Sequence, residues 1–157
     1  MLQIAPKEYR LIEMIGKGAY GEIYSAEKRE TNELLTIKVV ESDKAWQYVE
    51  SNRDVLCRIE HENISKIHRI ETINGHHCIV QEYIKGENLE AYVRNNDVSL
   101  EDLLCVSRCI LAGIEYLSNL GLFHKDIKPS NIIYNREKKI AKLIDLDYAG
   151  VSLSEQK

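Results

Sequence analysis

One stretch of the sequence decides the fold: His124-Lys125-Asp126-Ile127-Lys128-Pro129-Ser130-Asn131. It holds a carboxylate, a cation and an amide close together, on Asp126, Lys128 and Asn131. Pro129 has a fixed φ and stiffens the turn between them. Such a turn can support chemistry on an anionic group. The alternative is a polar surface loop between a helix and a strand, because short motifs also match by chance.

The composition predicts one soluble domain. The 157 residues suffice for one hydrophobic core and are too few for two domains of usual size. Apolar residues make up 44% and charged residues 29%, which is ordinary for a globular protein. The net charge of -4 argues against nucleic acid or an anionic membrane as the main partner. No apolar run is long enough for a membrane span, and the N-terminus lacks the pattern of a signal peptide.

The cysteines predict a reducing compartment. They are Cys57, Cys78, Cys105 and Cys109, and none forms a C-x-x-C pair. No His or Cys cluster completes a metal site around them, so we expect small buried apolar side chains. Free thiols of this kind indicate the cytoplasm or the nucleus.

The first part of the chain is predicted to be mainly strands and the second mainly helices. Predicted strands span 9–15, 22–28, 34–40, 64–72, 76–83, 132–134 and 141–144. Predicted helices span 43–59, 89–94 and 99–120. An Asn74-Gly75 turn joins two of the strands. The long helix begins at Ser99, with Asp102 in a near capping box, and ends at Gly121.

Two further features precede these helices. The first is a glycine cluster, Gly16-Lys17-Gly18-Ala19-Tyr20-Gly21-Glu22-Ile23. Strands are predicted on both sides of it, which favours a flap over phosphate groups rather than the strand-to-helix turn of dinucleotide folds. The second is Lys38, inside an otherwise apolar strand, where a charge is unfavourable unless it meets an anion. Alone, Lys38 is better explained as a lysine at a strand end that points to water.

Together these features resemble a eukaryotic-type serine/threonine protein kinase. The motifs occur in the family's order between residues 9 and 150: the glycine cluster, Lys38, H-E-N-I at 61–64, Gln81-Glu82-Tyr83-Ile84, the 124–131 loop and Asp145. Lys128 within D-x-K-P-x-N resembles serine/threonine rather than tyrosine kinases. The resemblance implies an α+β bilobal fold in a single domain, 1–157. It implies a β-rich small lobe at 9–82 and a partial helical large lobe at 83–157.

The resemblance also implies roles for individual residues. Asp126 would accept the proton of an attacking hydroxyl, and Lys128 would lie against the transferred phosphoryl. Asn131 and Asp145 would bind Mg²⁺. The residues implied to bind ATP are Ile15, Gly16, Gly18, Gly21, Ile23, Lys38, Glu82, Ile84, Asn88 and Ile133. Among them Ile23 and Ile133 would sandwich the adenine, Glu82 and Ile84 would offer backbone groups, and Asn88 would lie near the ribose. Gln81 would be the gatekeeper residue.

Three substitutions depart from the family pattern. Asn52 stands where a glutamate usually pairs with Lys38, and its amide could hydrogen-bond that lysine without neutralising it. Asp145-Leu146-Asp147 replaces D-F-G, which keeps the metal-binding Asp and adds a carboxylate. Thr36 occupies a position in the adenine roof that is usually alanine.

The chain also stops at Lys157, before the activation segment and the A-P-E motif that the family has. The long helix is apolar on more than one face, at Leu103, Val106, Ile110, Leu111, Ile114 and Leu117. Such a helix is expected to be buried. We therefore expect a fragment with a truncated large lobe, a partner protein that covers this helix, or a degenerate relative.

Three functions compete on these grounds. The leading one is transfer of the γ-phosphoryl of ATP, with Mg²⁺, to a Ser or Thr hydroxyl of a protein substrate. The second is a catalytically impaired, pseudokinase-like module that binds nucleotide and regulates a partner protein. The third is a small-molecule phosphotransferase of similar fold, against which the glycine cluster and D-x-K-P-x-N argue.

Overall fold

The chain divides into two compact units, and each contains a hydrophobic core of buried residues. The computed structural model describes residues 8–18 and 21–150. The first unit contains the described part of Met1–Ile59 together with Lys66–Tyr83, and the second contains Glu60–Ser65 and the described part of Ile84–Lys157. The predicted lobe ranges, 9–82 and 83–157, stay predictions. Residues 60–65 group with the second unit rather than with the strands that flank them in sequence.

The first unit is built on a five-stranded antiparallel sheet in the order β1-β2-β3-β5-β4. Its strands are β1 (Tyr9–Gly18), β2 (Gly21–Lys28), β3 (Glu33–Val40), β4 (Ile67–Ile73) and β5 (His76–Glu82). Central β3 is buried along its last six residues, as its apolar run predicts. Asn74 and Gly75 both have positive φ, as the predicted hairpin turn requires.

The predicted helix over 43–59 is wrong in one respect, because it is broken at Asn52. The structure has α1 (Asp43–Ser51) and α2 (Arg53–Arg58) instead. The Asn52 side-chain amide donates to the carbonyl of Tyr48 at 2.8 Å, and φ and ψ there are -106° and 11°. Asparagine competes for backbone groups in this way and so favours helix ends. This bond uses only the amide nitrogen, whereas a lysine would donate to the amide oxygen, so the hydrogen bond between Asn52 and Lys38 stays a prediction.

The second unit combines helices with a small sheet. Its elements are β6 (Glu87–Asn88), α3 (Leu89–Asn95), α4 (Leu100–Asn119), a 3₁₀ turn (Pro129–Asn131), β7 (Ile132–Asn135) and β8 (Ile140–Leu143). The sheet has the order β6-β7-β8. The predicted strand over 64–72 begins only at Ile67, because Ile64 pairs with Leu143 of β8 and Ser65 donates to the Leu143 carbonyl. Strand β6 was not predicted.

A buried carboxylate organises the start of α4. The predicted capping box is confirmed, with Ser99 Oγ accepting from the Asp102 N–H and the Asp102 carboxylate accepting from the Ser99 N–H. Asp102 also accepts from the hydroxyl of Tyr134 on β7 at 2.7 Å and from Lys139 Nζ at 2.9 Å. The Tyr92 hydroxyl on α3 donates to it at 3.3 Å. One side chain thus joins α3, α4 and β7.

The expectation that α4 is buried all round holds only for part of the helix. Within the described residues, Val106, Ile110 and Leu117 are buried, whereas Leu103 and Leu111 are 52% and 65% exposed. Of the buried apolar residues of this helix, Val106 and Ile110 pack in the core of the second unit with residues of β7 and β8. In the described ranges, no helix is both long and apolar enough to cross a membrane.

Candidate active site

The 124–131 loop brings its three polar residues together. Lys128 Nζ donates to Asp126 Oδ2 at 2.7 Å. Asn131 Nδ2 donates to the same oxygen and to the Asp126 carbonyl, each at 2.9 Å. The chain can turn this tightly because Pro129 starts a 3₁₀ turn in which the Asn131 N–H bonds the Lys128 carbonyl at 2.9 Å. The carboxylate is therefore held in one orientation by two donors.

Asp126 is ionised in this arrangement. Hydrogen bonding from Lys128 holds the pKa of Asp126 below its ordinary value, and the bond from Asn131 acts in the same direction. Its side chain is 36% exposed, so a solvent-borne group can approach it. The arrangement supplies a fixed acceptor oxygen next to a cation, which is what a hydroxyl attacking an anion requires.

His124 links the loop to the segment that contains Asp145. The ring is buried, and its Nε2 lies 2.9 Å from the carbonyl of Ile144, while the Asp126 N–H lies 3.4 Å from its Nδ1. Burial lowers the pKa of His124, so the ring is neutral near pH 7, with the proton on Nε2 to satisfy both contacts. The buried His124 ring therefore connects the two segments through one hydrogen bond to each.

A second set of bonds fixes the same segment. The Ile144 N–H donates to the Asn131 carbonyl at 2.9 Å, and Phe123 and Gly150 pair through both backbone groups. Asp145 follows with φ of 66°, a conformation uncommon for a residue other than glycine. Asn131 and Asp145, the two predicted metal ligands, therefore lie on adjoining segments that are bonded to each other.

The two residues after Asp145, Leu146 and Asp147, are both buried. Leu146 is buried, as an apolar residue at this position should be. Asp147 is also buried, at 3% exposure, although it replaces a glycine of the family pattern. This second carboxylate is thus enclosed by the protein rather than exposed to solvent.

The first unit places most of the predicted nucleotide residues on three adjacent strands. Gly16 of β1 pairs with Ile23 of β2, and Ile23 pairs with Lys38 of β3. Directly paired residues project from the same face of a sheet, so these side chains share one face. Lys38 is buried at 6% exposure, which excludes the explanation as a strand-end lysine in water. Ile15, next to this row, is exposed.

The glycines of the cluster are not equivalent. Gly21 has φ of 139°, and a Cβ there would lie 1.7 Å from the Val39 carbonyl oxygen. No side chain fits at that position. A Cβ on Gly18 would meet nothing within 4 Å, and one on Gly16 would meet only Ile23 at ordinary contact distance. Gly21 is thus required by the fold, whereas a Cβ would be accommodated at Gly16 and Gly18. Ala19 and Tyr20 lie outside the described residues.

The remaining predicted residues divide between the units. Glu82 ends β5 in the first unit, where its N–H donates to the Lys66 carbonyl at 2.9 Å and its side chain accepts from the Lys66 N–H at 3.1 Å. Ile84 lies between β5 and β6 in the second unit. Asn88 of β6 pairs with Ile133 of β7.

Two features of the second unit were missed by sequence reasoning. The Asn88 amide nitrogen donates to the Ser130 carbonyl at 2.6 Å, inside the 124–131 loop. A Cβ on Gly86 would lie 2.7 Å from the Tyr134 carbonyl oxygen, so glycine lets β6 approach β7. The lone glycine before β6 was a usable signal for a close approach, but nothing in the sequence connects Asn88 with a residue 42 positions away.

Comparisons with known proteins agree with these features. The family model of the protein kinase domain matches residues 9–157. A probable serine/threonine-protein kinase, the MRK1 homolog of Encephalitozoon cuniculi, is 30% identical over 99% of this chain and 49% of its own length. Serine/threonine-protein kinase AtPK1/AtPK6 of Arabidopsis thaliana is 27% identical over 83% of this chain and 29% of its own length. The chain thus spans less than half of either relative.

Solved structures give the same fold. The crystal structure of Rad53 1-466 in complex with AMP-PNP superposes with a TM-score of 0.80 at 25% identity, covering 94% of this chain and 40% of that one. The Mycobacterium tuberculosis PknI kinase domain superposes with a TM-score of 0.78 over 91% of this chain and 60% of that one, and at 20% identity it supports the fold alone. The predicted α+β kinase-like fold is confirmed. With the family match across 9–157, the chain belongs to the protein kinase domain family, among the eukaryotic-type serine/threonine kinases.

Proposed function

We propose that this chain forms part of a serine/threonine protein kinase that transfers the γ-phosphoryl of ATP to a Ser or Thr hydroxyl of a protein. The observation that carries the proposal is the Asp126 carboxylate held by both Lys128 and Asn131. A carboxylate, a cation and an amide in this arrangement match the needs of phosphoryl transfer, where positioning and electrostatics supply most of the catalysis.

ATP and Mg²⁺ fit the residues that are present. Asn131 uses its amide nitrogen on Asp126, so its amide oxygen is the group that a cation would take. Carboxylate and amide oxygens are the ligands that Mg²⁺ prefers, and Asp145 supplies the carboxylate. Lys38, buried on the sheet face that it shares with Ile23, suits the α- and β-phosphates. The Rad53 structure holds AMP-PNP, which supports nucleotide binding by a chain of this fold. When bound, ATP supplies the phosphoryl group and Mg²⁺ offsets its negative charge.

The residues of the 124–131 loop would act on the attacking hydroxyl. Asp126 accepts its proton as the hydroxyl oxygen bonds to the γ-phosphorus and the bond from that phosphorus to the β–γ bridging oxygen breaks, releasing ADP. The low pKa of Asp126 is compatible with this role, because a loose transition state demands little basicity before bond formation. Lys128, already within 2.7 Å of that carboxylate, lies near the charge on the transferred group.

Binding and turnover test the proposal separately. A fluorescent ATP analogue is titrated with and without Mg²⁺, and turnover is followed with labelled ATP and a generic Ser/Thr peptide. Asp126→Asn should keep nucleotide binding and lose turnover, whereas Asp145→Asn should lose the Mg²⁺ dependence of binding and Lys38→Ala should weaken binding. Asp97→Asn, a change of an exposed carboxylate between α3 and α4, is the matched control. Full turnover in Asp126→Asn would remove the role assigned to this residue.

A catalytically impaired module is the second candidate, and Asn52 favours it. The helix breaks at this position. The residue there is an asparagine, whereas the family usually has a glutamate that pairs with the strand lysine. Such a module would bind nucleotide and regulate a partner protein. Saturable ATP binding by a folded sample that shows no peptide phosphorylation would select this function over the first.

Two further proposals concern a partner protein and the cellular compartment. A partner protein that covers the exposed leucines of α4 would bury an apolar surface of the kind that usually marks an interaction site. The second proposal is a location in the cytoplasm or the nucleus, because free thiols persist in these reducing compartments. All four cysteines are free, and Cys78 is buried while the others are half-buried.

A further inference from the structure

Asn88 occupies an unusual position between a helix and the 124–131 loop. Its Oδ1 accepts from the Glu90 N–H at 3.0 Å and caps α3. Its Nδ2 donates to the Ser130 carbonyl at 2.6 Å. One planar amide therefore connects the first turn of α3 to the residue directly before Asn131.

The bond to Ser130 acts on the peptide unit that Asn131 shares. The Ser130 carbonyl and the Asn131 N–H belong to one planar group. Asn88 holds its oxygen end, and the Lys128 carbonyl holds its hydrogen end at 2.9 Å. Because both ends of a rigid unit are held, the Cα of Asn131 has little freedom to move, and its side chain is kept on Asp126.

The support behind Asn88 is itself rigid. Its backbone pairs with Ile133 in the β6–β7 ladder, and Gly86 allows that approach. At the other end of α3, the side-chain amides of Asn95 and Asn96 donate to the two carboxylate oxygens of Glu87, each at 3.4 Å. A short helix that is tied down at both ends gives the Asn88 amide a fixed place from which to hold the loop.

We infer that Asn88 is a positioning residue for phosphoryl transfer, which keeps Asn131 and through it Asp126 in place by anchoring the Ser130–Asn131 peptide to α3. The inference rests on the proposed function. It differs from a role in binding the ribose, because it assigns the amide nitrogen to the protein's own loop. A ribose contact would appear in the affinity for ATP, and a positioning role appears in the rate of the chemical step.

Two substitutions remove the anchor and spare the helix cap. Asn88→Asp keeps an acceptor for the Glu90 N–H, but has no donor for the Ser130 carbonyl and places a carboxylate against it. Asn88→Ser keeps a capping oxygen, adds no charge and is too short to reach the loop. Asn32→Asp is the control, since it makes the same amide-to-carboxylate change in the exposed turn between β2 and β3, where aspartate tolerates the positive φ.

Two measurements on the full chain decide the matter. Hydrogen exchange of the Asn131 amide, followed by NMR without nucleotide, should accelerate roughly tenfold in both Asn88 variants and stay unchanged in Asn32→Asp. In steady-state phosphorylation, kcat should fall roughly tenfold in both variants, with KM for ATP within about threefold of wild type.

Each contrary result has a distinct meaning. Wild-type exchange rates in both Asn88 variants would overturn the anchor, and so would a rise in KM for ATP with unchanged kcat. An effect in Asn88→Asp that is absent from Asn88→Ser would assign it to the added charge and equally overturn the inference. Failure of the proposed function looks different, because the wild-type chain itself would then bind no Mg-ATP or show no turnover.

Discussion

The 124–131 loop and the segment after β3 make opposite use of an asparagine amide. Asn131 donates across its turn to Asp126, and the bond holds a reactive carboxylate in place. Asn52 donates back to the Tyr48 carbonyl, and the bond ends a helix that should have continued. The same side chain organises a loop, where backbone groups need partners, and interrupts a helix, where they already have them.

The comparison separates the loop of the second unit from the segment after β3 in the first unit. In the second unit the polar groups of the loop are bonded to one another and to the segment with Asp145. In the first unit Asn52, at the break between α1 and α2, occupies the position that usually carries a glutamate in the family. We therefore expect any loss of catalytic activity to originate around Asn52 rather than in the loop.

Next to the loss of turnover expected for Asp126→Asn, the largest effect on activity is expected at Lys128. Lys128→Ala should lower turnover roughly a hundred- to a thousandfold, because a positioned cation is lost from the transition state. Since the bond from Lys128 is the main cause of the low pKa of Asp126, the pKa of this carboxyl should rise towards its ordinary value of 3.8. Asp126 must be ionised to accept a proton, so the acidic limb of the kcat/KM profile should move to higher pH.

A pH–rate profile of both proteins measures this shift. Lys138→Ala, a change of an exposed lysine in the β7–β8 turn, is the control and should leave the profile in place. An unchanged rate in Lys128→Ala would mean that the loop's cation takes no part in the reaction.

The largest effect on stability is expected at Asp102, which joins the elements behind the loop. Asp102→Asn should lower the melting temperature at pH 7 by roughly 10 °C, because it removes a buried carboxylate with several donors around it. Hydrogen bonds, first of all from Ser99, hold the pKa of Asp102 well below its ordinary 3.8. A depressed carboxyl pKa stabilises the folded state above the unfolded pKa, and this contribution is lost as the pH falls below about 3.8.

Thermal melts between pH 7 and pH 3 check both statements. The gap between wild type and Asp102→Asn should be full at neutral pH and narrow in acid. A gap that is constant with pH would show that ionisation of Asp102 does not contribute to folding.

An intermediate effect is expected from restoring a carboxylate at the helix break. Asn52→Glu should raise turnover several-fold, since glutamate is the better helix former and places a negative charge where the family pairs the strand lysine. Asn52→Gln is the matched control, because it improves helix propensity by a similar amount without the charge. Circular dichroism should show added helix in both variants, and phosphorylation assays should separate them. Equal rates in the two variants would argue that the missing charge is not what limits activity.

The smallest effect concerns Ser65, whose buried hydroxyl oxygen has no hydrogen-bond partner among the described residues. Ser65→Ala should raise the free energy of unfolding by about 1 kcal/mol, because an unsatisfied buried polar group is removed. Ser118→Ala on the exposed side of α4 should change it by less than about 0.5 kcal/mol. Denaturant unfolding compares the two, and a destabilised Ser65→Ala would indicate that the hydroxyl is satisfied in solution.

The sequence by itself determined the features that depend on neighbours along the chain. The capping box of Ser99 and Asp102, the Asn74-Gly75 turn and the strand–glycine–strand pattern each involve residues a few positions apart. Local backbone geometry links residue type to conformation at such short range. The compact 124–131 motif was predictable for the same reason.

Only the tertiary structure decided the contacts between distant residues. The bond from Asn88 to Ser130, the approach of Gly86 to Tyr134 and the bonds from Tyr134 and Lys139 to Asp102 join positions more than 30 residues apart. The break at Asn52 is local, yet it was missed, because an asparagine within a helical pattern can either point to solvent or bond its own backbone. Packing around it selects between these conformations, and a pattern of residue types does not contain that packing.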